Sequence, residues 1–213
     1  MKKRLVIGLA IGLFAIGMAS IANATITGYF WDGASAQSQN PALGAPGALS
    51  TASGSFTVSE INFDSRLGLN NSAYSTYQSF LQGGSSNINN LQWLTGASTY
   101  AGSNITTSTG VGTFFEFTGN AYFAANTVIT HDDGFYLNLG GTIYNDSTPV
   151  TPTPTDLGNV AGNYNFTLYY GAYNGFPEVL AAPGINPVPE PATMLLFGAG
   201  IAGLAGIARR KRS

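Results

Sequence analysis

The residues best suited to chemistry in this 213-residue chain are two adjacent carboxylates, Asp132 and Asp133, followed by Gly134. Adjacent carboxylates repel each other, so both stay ionised most easily in water or around a cation. Glycine lets the backbone turn sharply behind them, and Ca²⁺ takes about six to eight hard oxygen ligands of this kind. The residues alone therefore leave two interpretations open, a Ca²⁺ site or a solvated acidic turn.

A catalytic interpretation finds less support in the sequence. His131 precedes the pair and is the only histidine, so it is the candidate general base beside Asp132. Glu116 and Asp132 are conceivable as the two carboxylates of a glycosidase. However, the sequence has no G-x-S-x-G nucleophile elbow, no second histidine for a His-rich metal site and no cysteine. We expect no catalytic residues, a protein that is not an enzyme, and His131 in a loop near the acidic pair.

Two strands are predicted to position the acidic pair and its surroundings. Residues 134–139 alternate between apolar and polar types and end at Gly140-Gly141, which is a turn signal. Residues 164–170 alternate in the same way, which places Phe166, Leu168 and Tyr170 on one face.

The rest of the chain also favours β structure. Thr, Tyr and Phe, which favour strands, are frequent, while Lys, Glu and Arg, the usual surface helix formers, are scarce. A bulged strand is predicted at 54–63, and two strands, 113–117 and 121–130, are predicted to meet at a turn around Gly119-Asn120. We therefore expect an all-β fold, a single antiparallel β-sandwich.

Two segments interrupt this pattern. Residues 73–81 have aromatic and aliphatic residues at helical intervals, which predicts a short helix or an insert between strands. Residues 147–156 contain three closely spaced prolines, which predicts an extended loop rather than a strand.

The N-terminal residues are typical of a signal peptide. A basic start at 2–4 is followed by an apolar run at 5–21 and by the small residues Ala22 and Ala24. This order indicates a secretory signal with a small-x-small cleavage site. We expect signal peptidase to remove residues 1–24, which would leave Thr25 as the new N-terminus.

The C-terminal residues form a second tag with three parts. Pro189, Glu190 and Pro191 precede a glycine-rich apolar run at 192–208 and four basic residues that begin with Arg209 and Arg210. The run has 17 residues, fewer than the roughly 20 of a typical membrane-spanning helix. The basic residues favour a cytoplasmic C-terminus. The sequence indicates a targeting segment that is inserted into the membrane transiently, rather than a permanent membrane anchor.

Excluding the two ends changes the charge of the protein. Between them, Arg66 is the only basic residue apart from His131, whereas Asp and Glu together number nine. The formal charge of this part of the chain is therefore −8 with His131 neutral. Such an acidic surface repels nucleic acid and anionic lipid. We exclude nucleic acid and anionic lipid surfaces as partners of the mature module.

The three-part tag at 188–213 resembles the PEP-CTERM sorting signal, which exosortase-type membrane proteases recognise in Gram-negative bacteria. The resemblance implies export across the inner membrane, transient membrane insertion through a C-terminal hydrophobic helix, and exosortase processing. It implies a final location at the cell surface or outside the cell, in association with exopolysaccharide or biofilm. The predicted domains are a signal peptide at 1–24, a secreted module at 25–187 and the sorting tag at 188–213.

The order of strand, Asp-Asp-Gly and Phe-Tyr-Leu-x-Leu-Gly-Gly at 132–141 resembles the signature of PA14-like β-sandwich domains of the jelly-roll type. Residues 28–31 and 164–180 resemble the start and end of such domains. The resemblance implies that Asp132 and Asp133 hold Ca²⁺, that Asn174 is a further ligand, and that the ion coordinates sugar hydroxyls. Tyr173 and Phe176, in the same predicted loop, are candidate sugar-stacking residues.

Two function hypotheses remain from the sequence. The first is an exported surface or matrix protein without a defined ligand site, which requires no cofactor. The second is a Ca²⁺-dependent, lectin-like module that binds an extracellular polysaccharide. The two hypotheses are compatible, and they differ in whether Asp132 and Asp133 form a metal site.

Overall fold

The computed structural model describes residues 25–64, 88–94, 112–147, 151–173 and 178–188. These residues belong to one compact unit, Thr25–Val188. The signal peptide, the sorting tag from Pro189 onwards and the segment at 73–81 lie outside the described residues. Within the described ranges, no helix has both the length and the apolar character needed to cross a membrane.

The described part of the chain consists mainly of strands. In chain order these are β1 (Ile26–Trp31), β2 (Gly54–Val58), β3 (Asn62–Asp64), β4 (Asn89–Trp93), β5 (Thr113–Ala125), β6 (Val128–His131), β7 (Phe135–Leu139), β8 (Thr142–Asp146), β9 (Thr153–Asp156), β10 (Asn159–Ala172), β11 (Val179–Ala181) and β12 (Ile185–Pro187). A short helix, α1 (Ser35–Gln39), and two 3₁₀ turns at Pro41–Leu43 and Leu49–Thr51 lie between β1 and β2.

The strands form two antiparallel sheets. Within the described ranges, the large sheet has the order β4-β2-β1-β5-β10-β7-β8, and β12 pairs with the end of β5 that extends beyond β1. The small sheet has the order β3-β11-β6-β9. The long ladder between β5 and β10 forms the middle of the large sheet and extends from Ala172↔Thr113 to Asn159↔Ala125.

One hydrophobic core joins the two sheets. Phe56 and Phe117 of the large sheet contact Phe63 of the small sheet, with ring centroids 6.1 and 5.5 Å from that of Phe63. All three side chains are buried, and each fully buried phenylalanine contributes roughly 1.5–3 kcal/mol to stability. The faces of the two sheets that carry these phenylalanines therefore point towards each other.

A second, smaller cluster lies on the opposite face of the large sheet. Trp31, Ala52 and Phe114 are buried there, and Ala34 and Ala45 pack against them. A Cβ atom on Gly171 would collide with the main chain of Ser38 in α1. The segment between β1 and β2 therefore covers part of the large sheet, and it can approach closely because β10 has a glycine at that point.

The hairpin that follows the acidic pair is confirmed. β7 and β8 pair from Leu139↔Thr142 to Phe135↔Asp146 around Gly140 and Gly141. Both glycines have positive φ, +58° and +97°, as a two-residue turn of the primed type requires. The strand predicted at 164–170 is also confirmed, with Phe166, Leu168 and Tyr170 buried, and it extends over the whole of β10.

The predicted turn at Gly119-Asn120 is wrong. Both residues lie inside β5, where they pair with Phe166 and Asn165 of β10. Asn120 Nδ2 also donates to Asn165 Oδ1 at 3.0 Å. The chain turns later, at Asn126, which has a φ of +58°. The long-range ladder with β10 overrides the local turn preference of the Gly-Asn pair.

Two other element predictions need correction. Residues 54–63 form β2 and the start of β3, which belong to different sheets, so the slip in their alternation marks a crossing between sheets and not a bulge. The proline-rich segment contributes an edge strand, β9, in which Pro154 pairs with Thr130. An edge strand pairs with another strand on one side only. Proline is tolerated there because an N–H on the unpaired side is not needed for the sheet.

Candidate functional site

The acidic pair lies between β6 of the small sheet and β7 of the large sheet, as the sequence predicted. The Asp132 N–H donates to the carbonyl of Val179 in β11 at 2.9 Å. Asp132 and Asp133 are each only 2% exposed, so the interpretation as a solvated acidic turn does not hold. The pair is part of the packed structure at the junction of the two sheets.

Asp133 has an unusual backbone conformation. Its φ is +63°, in the left-handed region that non-glycine residues seldom adopt. Its Oδ2 accepts a hydrogen bond from the Tyr173 N–H at 2.5 Å, and its own N–H donates to Asp132 Oδ1 at 3.1 Å. The carboxylate is therefore held against the first residue after β10.

His131 is the last residue of β6 and is fully buried, so its expected loop position is wrong. Its Nδ1 lies 2.7 Å from the carbonyl oxygen of Asp133. A carbonyl only accepts, so Nδ1 must carry the proton. Nε2 lies 2.9 Å from Thr155 Oγ1, and in the neutral ring it accepts from that hydroxyl.

Burial favours the neutral imidazole. It lowers the pKa of His131, and this effect is opposed by the hydrogen bond to the Asp133 carbonyl and by the charges of Asp146 and Asp133. Asp146 Oδ2 is 3.9 Å from Nε2. His131 thus connects the acidic pair to β9 through Thr155, and its ring packs edge-on against Phe135 at 4.6 Å.

Glu178 is a third buried acid near the pair, and sequence reasoning did not single it out. The Tyr170 hydroxyl donates to Glu178 Oε2 at 2.9 Å, and both residues are fully buried. Burial raises the pKa of Glu178 well above its ordinary 4.5, and the charges of Asp133 and Asp132 raise it further, while the Tyr170 hydrogen bond lowers it. An acidic residue directly before an apolar strand was the signal in the sequence.

Asp132 and Asp133 carry carboxylate oxygens, the type of ligand that hard cations such as Ca²⁺ take. The predicted loop with Asn174 follows Tyr173 in the sequence. Within the described ranges, no group of three or more His, Cys, Asp or Glu is arranged to hold a metal ion. A bound Ca²⁺ would therefore depend on the pair and on oxygens of the following loop. Asn174 and Phe176 belong to that loop and lie outside the described residues.

Glu116 does not meet the acidic pair. It lies on the outer face of β5, between Tyr29 of β1 and Tyr169 of β10 in the ladder. Burial raises the pKa of its carboxyl. Asp132, in contrast, follows β6 of the small sheet, so the structure does not join these two acids into a glycosidase pair.

Of the predicted processing residues, only Thr25 is described, and it directly precedes β1. The others lie outside the described residues: Ala22, Ala24, Pro189, Glu190, Pro191, Arg209 and Arg210. At the C-terminal side the description ends at Val188, one residue after β12.

Comparison with known proteins gives one family match. Residues 187–212 match the PEP-CTERM protein-sorting motif, which confirms the resemblance seen in the sequence. No curated protein matches the chain.

Three solved structures resemble the chain at low sequence identity. A PA14 sugar-binding domain from an RTX adhesin is 16% identical with a TM-score of 0.42, covering 78% of this chain and 99% of that one. The PA14 domain of the antifreeze protein MpAFP is 17% identical with a TM-score of 0.38, covering 76% and 82%. A GH31 α-xylosidase from Xanthomonas citri is 11% identical with a TM-score of 0.37, covering 81% of this chain and 16% of the enzyme. The chain thus combines a PEP-CTERM motif, which marks an exported, exosortase-processed protein, with a module that has structural similarity to PA14 domains.

Proposed function

We propose that this exported protein binds carbohydrate through a Ca²⁺ ion held by Asp132 and Asp133. The observation that carries the proposal is the burial of two adjacent carboxylates, because Asp132 and Asp133 are each only 2% exposed. Two buried carboxylates side by side repel each other and are costly to ionise unless a cation or protons compensate them. Asp133 also has a φ of +63°, a conformation that aspartate adopts more readily than most residues.

The contacts around Asp133 support a built site. His131 Nδ1 holds its carbonyl oxygen at 2.7 Å, and the Tyr173 N–H holds its Oδ2 at 2.5 Å. These contacts fix the peptide and the carboxylate independently, so the direction of the remaining lone pairs is determined before a ligand arrives. Preorganised oxygens are what a cation with flexible coordination geometry needs for affinity.

Bound Ca²⁺ would supply open coordination positions for pairs of sugar hydroxyls. In this proposal Asn174 is a further ligand, and Tyr173 and Phe176 offer aromatic faces to the sugar ring. Tyr173 is partly exposed directly after β10, which suits such a role. The glycosidase pair of Glu116 and Asp132 gains no support, because Glu116 lies between Tyr29 and Tyr169 on the outer face of β5.

A second candidate is an exported structural protein of the exopolysaccharide or biofilm matrix. It is favoured by the fact that main-chain amides already bond Asp132 Oδ1 and Asp133 Oδ2. In this alternative the hydrogen bonds of the pair hold the connection between β6 and β7 against the end of β10, and no ion is needed. The two candidates differ in their response to Ca²⁺.

Thermal unfolding of the mature protein, with millimolar Ca²⁺ and with chelator, tests the proposal. Ca²⁺ at about 100 times its dissociation constant should add about 2.7 kcal/mol to the free energy of unfolding. The double variant Asp132→Asn with Asp133→Asn should lose this gain. Asp156→Asn is the matched control, because Asp156 only accepts from the Gly158 N–H at a turn after β9, and it should respond as the wild type does.

Each outcome assigns the pair a role. A Ca²⁺-dependent gain that only the double variant loses would justify a glycan screen in the presence of Ca²⁺. If wild-type stability is the same with Ca²⁺ and with chelator, the metal site is rejected and the structural alternative remains.

A further inference from the structure

The sorting motif begins inside the folded module. The family match starts at residue 187, and Pro187 is the last residue of β12, where it pairs with Ala121 of β5. Val188 is still hydrogen-bonded, because its N–H donates to the Asn120 carbonyl at 3.1 Å. Pro189 of the Pro-Glu-Pro box follows directly in the sequence.

The two halves of β12 are held differently. Ile185 is 1% exposed and belongs to the main core. Asn186 is exposed and Pro187 is partly exposed, so from there to Val188 the chain is held mainly by main-chain pairing with β5. The C-terminal half of β12 can therefore leave the sheet while Ile185 stays buried.

The two edges of β12 also differ. Successive main-chain N–H groups of an extended chain point to opposite edges. Gly184 accepts from the Ala124 N–H at 3.0 Å, and Val188 donates to Asn120, so the even-numbered residues face β5. On the other edge, the Ile185 N–H is already bonded to the Ala182 carbonyl at 3.0 Å, and Pro187 has no N–H.

The alternation continues into the tag. The sequence from 187 to 191 is Pro-Val-Pro-Glu-Pro, so each odd-numbered position is a proline. In an extended chain, all N–H donors from Asn186 to Glu190 would then lie on one edge. β5 pairs with that edge at Asn186 and Val188.

We propose that residues 186–188 are part of the segment that the processing protease binds, and that they must leave β5 before the tag is cleaved. Peptide recognition by strand addition uses main-chain donors and acceptors along one edge. On the opposite edge, the Ile185 N–H is already bonded to Ala182 and Pro187 has no N–H, so β5 and the protease compete for the same groups. β5 thereby controls access to the sorting motif, and Ile185 keeps the module folded while the strand end is exchanged.

A disulfide that holds β12 to β5 and can be reduced tests this proposal. The experiment uses the full-length chain in a host that carries the processing machinery. The chain has no cysteine, so Tyr122→Cys with Asn186→Cys introduces one possible bridge. These two residues pair directly, and both are exposed. A hydrogen-bonded antiparallel pair has Cα atoms about 5.5 Å apart, which lies within the range of disulfides. Its Cβ atoms are further apart than in an unstrained bridge, so oxidation is driven with an added oxidant in the compartment reached by export, which permits disulfides.

The expected result is that the oxidised double variant keeps its tail, while the same variant kept reduced is processed, and its rate is the baseline for the comparison. The readout is the size of the protein on non-reducing and reducing immunoblots, with thiol alkylation to measure the bridged fraction. The matched control is Thr27→Cys with Thr57→Cys, which bridges β1 and β2 and leaves β12 untouched. Its oxidised form should be processed normally.

Two outcomes would overturn the proposal. One is processing of the oxidised Tyr122→Cys, Asn186→Cys variant at the rate of its own reduced form, because the protease would then accept β12 while it is paired. The other is equal loss of processing in both bridged variants, because the effect would then belong to any disulfide in the module. Neither outcome depends on Ca²⁺.

Discussion

His131 organises the acidic pair at the scale of single atoms. Its protonated Nδ1 fixes the carbonyl of Asp133, and its Nε2 is fixed by Thr155. An imidazole at this position therefore sets the left-handed conformation of Asp133 from inside the core. This is a positioning role, which requires an N–H donor and not a charge.

We expect His131→Leu to destabilise the module by about 1–3 kcal/mol, because the buried Asp133 carbonyl would lose its donor. His131→Asn should recover part of this loss, since its amide N–H lies near the position of Nδ1. Urea unfolding in chelator measures the change in stability. Ca²⁺ titration of the same variants should show weaker binding for His131→Leu than for His131→Asn.

Thr155→Val is the control for the His131 variants, because it removes only the bond to Nε2. If Thr155→Val weakens Ca²⁺ binding as much as His131→Leu does, the contact between Nδ1 and the Asp133 carbonyl is not what positions the pair.

Glu178 gives the module a predictable pH dependence. Its pKa is raised in the folded state above 4.5, first by burial. The folded protein therefore binds more protons than the unfolded chain above about pH 4.5, so this contribution to stability is lost as the pH rises through the folded pKa. His131 acts in the opposite direction, because its lowered pKa makes stability fall as the pH drops below 6.5.

Glu178→Gln isolates the acidic contribution. Glutamine retains an oxygen that can accept from the Tyr170 hydroxyl but does not titrate. In chelator, the free energy of unfolding of the wild type relative to the variant should decrease as the pH rises from about 4.5 towards neutrality. The effect of His131 is common to both proteins and cancels. A difference that stays constant over this range would show that Glu178 does not take up a proton on folding.

At the scale of elements, the local turn between β7 and β8 was predictable and the long strand β5 was not. Gly140-Gly141 between two alternating runs has one favourable solution, a tight hairpin. Gly119-Asn120 offers the same local signal, but its residues pair with β10, some 45 positions later in the chain. Strand partners that lie so far apart in the chain cannot be identified from the local sequence.

Gly141 and Gly119 provide a direct test of this distinction. Gly141 has a φ of +97°, and a Cβ added there would have no atom within 4 Å, so Gly141→Ala should cost about 1–2 kcal/mol through backbone conformation alone. At Gly119, a Cβ would meet its nearest atom at an ordinary 3.5 Å. Gly119→Ala should change the free energy of unfolding by less than about 0.5 kcal/mol.

Urea unfolding of the two glycine variants measures both effects. A larger loss for Gly119→Ala than for Gly141→Ala would contradict the assignment of the hairpin and of the continuous β5.

At the scale of the whole molecule, the sequence predicts the sorting tag better than the candidate site. A sorting tag is read as an extended sequence, so its order of proline, apolar and basic residues is sufficient to recognise it. The candidate site depends on residues from β6, β9 and β10 and on the residue before β11, which only the packing of two sheets brings together. The roles of His131, Thr155 and Glu178 follow from that packing, whereas Asp132 and Asp133 were evident from their types alone.

The outer edge of β12, which has few free donors, has a further consequence for a protein that carries an export motif. Exposed strand edges with regular donors and acceptors invite other chains to add to the sheet and form fibrils. Here the last strand covers residues 121–123 of β5 and presents an edge that ends in Pro187. At high local concentration, this end of β5 should therefore resist the addition of another chain.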